Sequence, residues 1–265
     1  MAAQHESLAP VSNNIQYPDP YAHVENLLKQ KSLSNVKIIF AMIGGSHAYN
    51  CQLDSGKSDF DFLGVFVAPT SSILSLSEVR PEQVVTQSEP NDMTVVEVGK
   101  FCEMVQTGNP LALQMLFTKR FIYTTPEFEE LRAEADKFIT KQTVEAYMGY
   151  IKSQLKQVQG KVKYDYSKFL YHAFRLLFEL EHIVINSQLP IIYFENGTEE
   201  RNFLMHVRQQ GDAQTRNKLL DQIQTRLQAI QNLKPWNNVR ETAVKPGSNS
   251  FTVLNNWLLQ IRKAN

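Results

Sequence analysis

The sequence predicts an α+β protein, an amino-terminal α/β region followed by a mostly helical half, and three observations carry that prediction. Two short runs rich in β-branched and aromatic residues, 36–42 and 60–67, flank a glycine turn and have the length of buried strands. From 126 onward the apolar period is almost entirely helical, and Gly160, Pro190, Gly197, Gly211, Pro235 and Pro246-Gly247 cut it into segments. At 265 residues the chain can bury a large core without staples.

The elements follow in order. Residues 1–18 are polar and contain proline, so they form a loose arm before a helix over 19–32. The strand at 36–42 runs directly into Gly44-Gly45-Ser46, where extended chain gives way to a tight turn. The polar stretch 54–58 is an acidic loop into a second core strand, 60–67, which Pro69 stops. A connector, 70–92, precedes a strand at 94–98 and a helix at 99–107 with Phe101, Met104 and Val105 at helical spacing. Gly108-Asn109-Pro110 separates that helix from the next, and the α/β region ends near 120. Helices are then expected at 126–136, 140–158, 165–186, 198–209, 212–232 and 250–262. The expected organisation is an arm (1–18), an α/β core (19–120) and a helical domain (121–265).

Charge and cysteine content narrow the function. The 27 Lys and Arg balance 27 Asp and Glu, so no global positive field holds a polynucleotide, and such a partner needs local clusters. Lys152, Lys156, Lys161, Lys163 and Lys168, interleaved with Tyr147, Tyr150, Tyr164 and Tyr166, are the best candidates; the same residues also suit a solvated helix face packed by tyrosines. Cys51 and Cys102 are too few for a Cys-rich zinc site and suit a reducing, intracellular (cytoplasmic) setting. The longest apolar run, VKIIFAMIGG, is less than half a membrane span, so no membrane partner is expected.

The chemistry concentrates in IGGSHAYNCQLDSGKSDFDFLGVFV, residues 43–67. Residues two apart on a strand share a face, so Asp59 and Asp61 converge while Phe60 and Phe62 enter the packed side. Two such carboxylates repel unless a cation lies between them, and hard divalent ions prefer carboxylate and phosphate oxygens. The turn at Gly44-Gly45 exposes backbone N–H groups beside the Ser46 hydroxyl, a combination suited to phosphates. It is not a P-loop, because no Gly-Lys-Ser or Gly-Lys-Thr follows.

These residues resemble the nucleotidyltransferase superfamily that includes DNA polymerase beta. SHAYNCQLDSGKSDFDFLGVF is similar to the RNA-repair-pathway DNA polymerase beta family, and so are KFCEMVQTGNPLALQMLF (100–117), KFLYHAFRLLFE (from Lys168) and MHVRQQGD around Arg208. The resemblance implies a polymerase beta-type core with a small mixed sheet, then a helical domain, with the site between them. It implies an activity that moves a nucleoside monophosphate from an NTP to an acceptor hydroxyl with Mg²⁺ (or Mn²⁺) and releases pyrophosphate. By that likeness Asp59 and Asp61 hold metal, Gly45 and Ser46 contact phosphate, and Tyr49, Lys168, His172, Arg175 and Arg208 belong to the nucleotide's surroundings, although a structural salt bridge suits Arg175 equally well. A third carboxylate from a neighbouring strand serves as metal ligand or base, and Asp92 and Glu97 are both candidates, Asp92 slightly preferred.

Asn50, His47 and Gln114 stand where the family commonly has glycine, arginine and glutamate. Asn50, Gln114 and the ambiguous third acid keep open a second reading, a catalytically inactive nucleotide-binding or protein-interaction scaffold. Three acceptors stay open as well, an RNA 3′ end, a protein hydroxyl or a small molecule, and so does a homo-oligomer or protein partner.

Overall fold

The computed structural model describes residues 17–33, 35–53, 59–76, 81–120, 122–159, 166–187, 189–209, 213–239 and 241–265. Most of the expected arm, the acidic loop at 54–58, Lys161, Lys163, Tyr164 and Gly211 lie outside them.

Helix α1 (Pro20–Gln30) begins where Asp19 accepts a hydrogen bond from the Tyr21 amide at 3.0 Å, with Pro20 in the first turn. Its Val24, Leu27 and Leu28 fall on one helical face and bury against the sheet. Five strands make that sheet: β1 (Lys37–Ile43), β2 (Phe62–Val67), β3 (Val84–Gln87), β4 (Met93–Glu97) and β5 (Ile122–Thr124), in the order β3-β4-β2-β1-β5. Only β2 and β4 run parallel, so the sheet is mixed, as expected.

Both faces of the sheet are covered, which is why β1 and β2 read as unbroken apolar runs. Phe62 and Phe66 enter the α1 side, whereas Leu63, Val65 and Val67 enter the larger core shared with the helices. In β1 a register shift between Ile38 and Phe40 lets the sequence neighbours Ile39 and Phe40 both join that larger core.

Four short elements did not stand out in the sequence. They are α2 (Gly45–Ala48) inside the glycine turn, α3 (Thr70–Leu74) and β3 inside the connector, and β5. None is long enough to display a period, and β3 and β5 are edge strands with little burial. The boundary expected near 120 falls before β5, which pairs with β1, so the sheet takes its last strand from beyond it.

Helices α4 (Val98–Gln106), α5 (Pro110–Phe117) and α6 (Pro126–Ala133), with a 3-10 turn (Ala135–Phe138), pack against the sheet half. The helical half centres on α7 (Lys141–Gln159) and α8 (Tyr166–Val184), with α9 (Glu199–Gln209) and α10 (Ala213–Asn232) packed on α8. The final helix, α11 (Asn249–Ala264), returns to α4 and α6. There the Trp257 indole donates to the Glu127 carbonyl at 2.7 Å, and the Thr70 amide donates to the Asn265 carbonyl at 3.2 Å. The chain end therefore closes the sheet half. No helix among the described residues is long and apolar enough to cross a membrane.

Candidate active site

Three turns meet at one end of the sheet. The Gly44 amide donates to the Asp61 carbonyl and the Phe62 amide to the Asp92 carbonyl, both at 2.8 Å. Because β2 pairs with β4 in parallel with Phe62 opposite Met93, one step back along the register brings Asp92 alongside Asp61. Asp59 and Asp61 occupy the extended segment entering β2, one residue short of the strand itself.

Gly45 explains why the turn carries glycine. Its φ is +56°, and a Cβ there would lie 1.5 Å from Asp61 Oδ2 and 2.6 Å from Asp61 Cγ. Only a residue without a side chain lets the Asp61 carboxylate lie over the turn. Ser46 follows, half-buried, on the four-residue α2.

The electrostatics converge on Asp61. Burial pushes its carboxyl up to about 6, and the neighbouring carboxylates of Asp92 and Asp59 push in the same direction, while Lys168 and Arg208 oppose them. Lys168 lies in the first turn of α8 and Arg208 in the last turn of α9. The sheet half thus supplies acids and the helical half supplies cations to one place. Among the described residues no group of three or more His, Cys, Asp and Glu side chains is placed to hold a metal ion. A Mg²⁺ ion binds through one or two carboxylates together with waters and substrate phosphates, so an open acidic pair over a glycine turn fits it.

Two residues expected near the nucleotide are engaged by other protein groups. Tyr49 is buried at the end of α2 under the Arg175 guanidinium, which sits 4.1 Å from the ring centre. Arg175 pairs with the fully buried Glu179, whose other oxygen accepts from the Tyr147 hydroxyl at 2.8 Å. Burial drives the Tyr49 hydroxyl well above the ordinary tyrosine range. Tyr49 and Arg175 therefore belong to the junction between the two halves, and Tyr147 to its core. His172 is half-buried and packs its ring near Tyr171, with centroids 5.1 Å apart.

Glu97 is also displaced from the acids. It pairs with Phe66 at the far end of β2, caps α4 by accepting from the Gly99 amide at 2.7 Å, and holds Arg262 at 2.8 Å. Its position is settled by packing, because β2 and β4 separate it from Asp61 by nearly their whole shared length.

The three departures have physical explanations in part. Asn50 has φ +59°, a conformation glycine and asparagine tolerate, and its amide donates to the Phe194 carbonyl at 2.9 Å and to Asn196 Oδ1 at 3.0 Å. His47 is buried and stacks on Phe60, with centroids 4.4 Å apart. Gln114 is buried within α5, and nothing in the structure explains its amide there. Cys51 is buried next to Asn50, and burial pushes its thiol up to about 11, so it is not a reactive nucleophile. On α7, Lys152 and Lys156 are exposed, and Tyr150 accepts a hydrogen bond from Asn109 at 2.9 Å.

Sequence reasoning missed Arg201, Glu179 and Arg262. Arg201 donates to the Asn50 carbonyl at 2.7 Å across 151 positions, and no local pattern announces a partner so distant.

A family model described as the RNA repair pathway DNA polymerase beta family matches residues 21–260. Among solved structures, a nucleotidyltransferase-like protein from Exiguobacterium sibiricum 255-15 is similar at 9% identity, over 91% of this chain and 80% of its own, with a TM-score of 0.30. No curated protein sequence gives a significant match.

Proposed function

This chain belongs to the RNA repair pathway DNA polymerase beta family, and from that premise we propose that it is a metal-dependent nucleotidyltransferase. It moves a nucleoside monophosphate from an NTP to an acceptor hydroxyl and releases pyrophosphate. The observation that carries this reading is the surroundings of Asp61: two further carboxylates from its own half, two cations from the other, and a glycine turn beneath.

In the proposed arrangement Asp59 and Asp61 would hold Mg²⁺ or Mn²⁺, which would supply a Lewis acid for the phosphoryl oxygens and lower the pKa of a nearby hydroxyl. Asp92 accepts the proton of the acceptor hydroxyl as its oxygen bonds to the α-phosphorus and the bond to the β-phosphate oxygen breaks. The Gly45 and Ser46 turn holds the outer phosphates, with Lys168 and Arg208 balancing the charge that grows on departing pyrophosphate. An RNA 3′ end is the acceptor we propose, because the family description names RNA repair and Lys152 and Lys156 present exposed cations. Asn50 and Gln114, which motivated a non-catalytic scaffold, are both buried in packing.

The test is transfer of α-labelled phosphate from each of the four NTPs, with Mg²⁺ or Mn²⁺, to pooled RNA and protein acceptors. The intact chain is expected to label RNA. The Asp59→Asn/Asp61→Asn double variant is expected to lose at least ~10³-fold of that activity while remaining folded. Absence of transfer by the folded intact chain under every condition would sink the proposal and favour the scaffold.

A further inference from the structure

We infer that residues 49–51 form a latch whose state sets the phosphate-binding turn, and that Arg201 is a positioning residue for it; this rests on the nucleotidyl-transfer reading. Three successive carbonyls of the sheet half are taken by donors of the helical half. The Phe194 amide donates to the Tyr49 carbonyl at 3.2 Å, Arg201 Nε to the Asn50 carbonyl at 2.7 Å, and Arg208 Nη1 to the Cys51 carbonyl.

The side chains of the same three residues reinforce the pattern. Tyr49 lies under Arg175, Asn50 bonds the 194–196 segment, and Cys51 is fully buried. Residues 49–51 follow α2 directly, so whatever holds them holds Gly45 and Ser46 against Asp61. Arg208 joins both ends of the device, since it bonds Cys51 and also acts on Asp61. Its guanidinium packs on the Tyr171 ring 4.9 Å away, which limits its freedom to move alone. Arg201 has a narrower part: it holds the Asn50 backbone.

The alignment of the two halves is therefore made at the turn that receives phosphate. A partly buried charge-assisted bond to a backbone carbonyl is among the stronger single contacts available, and its loss releases local motion before global unfolding. Releasing the latch should weaken nucleotide capture more than the chemical step.

The experiment compares the intact chain, Arg201→Ala, Arg201→Lys and a control, Arg226→Ala, which breaks the ion pair with Glu181 in the same half without touching the latch. The first readout, amide hydrogen exchange, needs no substrate. Arg201→Ala is expected to speed exchange of the 44–51 amides about tenfold, with partial recovery in Arg201→Lys and no change at 44–51 in Arg226→Ala. The second is nucleotidyl transfer, in which Arg201→Ala is expected to raise the KM for NTP about tenfold with kcat within about twofold. Unchanged exchange at 44–51 overturns the latch, as does faster exchange spread equally through α8 and α9. Faster local exchange with KM unchanged overturns the positioning role. An intact chain without transfer sinks the proposed reaction instead, and the exchange arm still decides the latch.

Discussion

The two ends of the β2–β4 pair carry acids in opposite circumstances. At one end Glu97 is buried and fully engaged, capping α4 and holding Arg262, which also donates to the Ala68 carbonyl at 3.2 Å. At the other end Asp61 is crowded by Asp59 and Asp92 and only partly offset by Lys168 and Arg208. The same two strands thus end once in a closed ion pair and once in an acidic cluster that two cations only partly offset. Crowded, partly desolvated carboxylates of the second kind cost a fold stability and mark candidate functional sites.

The largest effect expected from breaking this contrast lies at the closed end. Arg262→Ala leaves Glu97 buried without its cation, which costs about 3 kcal/mol. A melting temperature lower by about 6–12 °C is expected, with nucleotidyl transfer below that temperature unchanged. A loss of transfer matching the loss of the salt bridge would erase the division between the two ends.

Next in size is a substitution at the open end that disturbs geometry rather than charge. Gly45→Ala places a methyl group against the Asp61 carboxylate and forces an unfavourable positive φ. Transfer is expected to fall about 100-fold through displacement of Asp61. The melting temperature is expected to fall about 2–8 °C, from a cost of about 1–2 kcal/mol. Activity close to the intact chain's would show that Asp61 need not lie over the turn.

The smallest effect concerns pH. Asp61 titrates in the folded chain near 6, above its ordinary value of 3.8, so the folded state holds its proton more tightly than the unfolded chain does. Its favourable contribution is complete below about pH 4 and is lost as pH rises through about 6. Because the group is partly solvated, the span is about 1–2 kcal/mol after screening. The stability advantage of Asp61→Asn over the intact chain, measured by denaturant melts without divalent ions, is expected to grow between pH 4 and 7. A difference that stays flat over that window would mean Asp61 is not the crowded acid of the cluster.

Much of this was legible along the chain. The apolar, β-branched and aromatic character of 36–42 and 60–67 announced buried strands, and the helical periods matched α7 to α11 closely because long amphipathic segments carry their own signal. The glycine turn and the Asp59 and Asp61 pair were legible because strand alternation and turn chemistry act over a few residues. The edge strands β3 and β5 were not, since three or four half-exposed residues have no period. Tyr49 was expected near the nucleotide only through the family resemblance, and Arg175, a cation in an apolar helix, suited a nucleotide contact and a structural salt bridge equally. Their actual partners are each other and Glu179.

By itself, then, the sequence determined the α+β class, the order of its long elements and the acids entering β2, because those depend on local periodicity and backbone sterics. Tertiary structure alone decided that Asp92 and not Glu97 stands beside Asp61, that Lys168 and Arg208 face it, and that residues 49–51 are held by the helical half. Those outcomes depend on strand register and on contacts spanning more than a hundred residues, where the energy of packing two halves together outweighs any local preference.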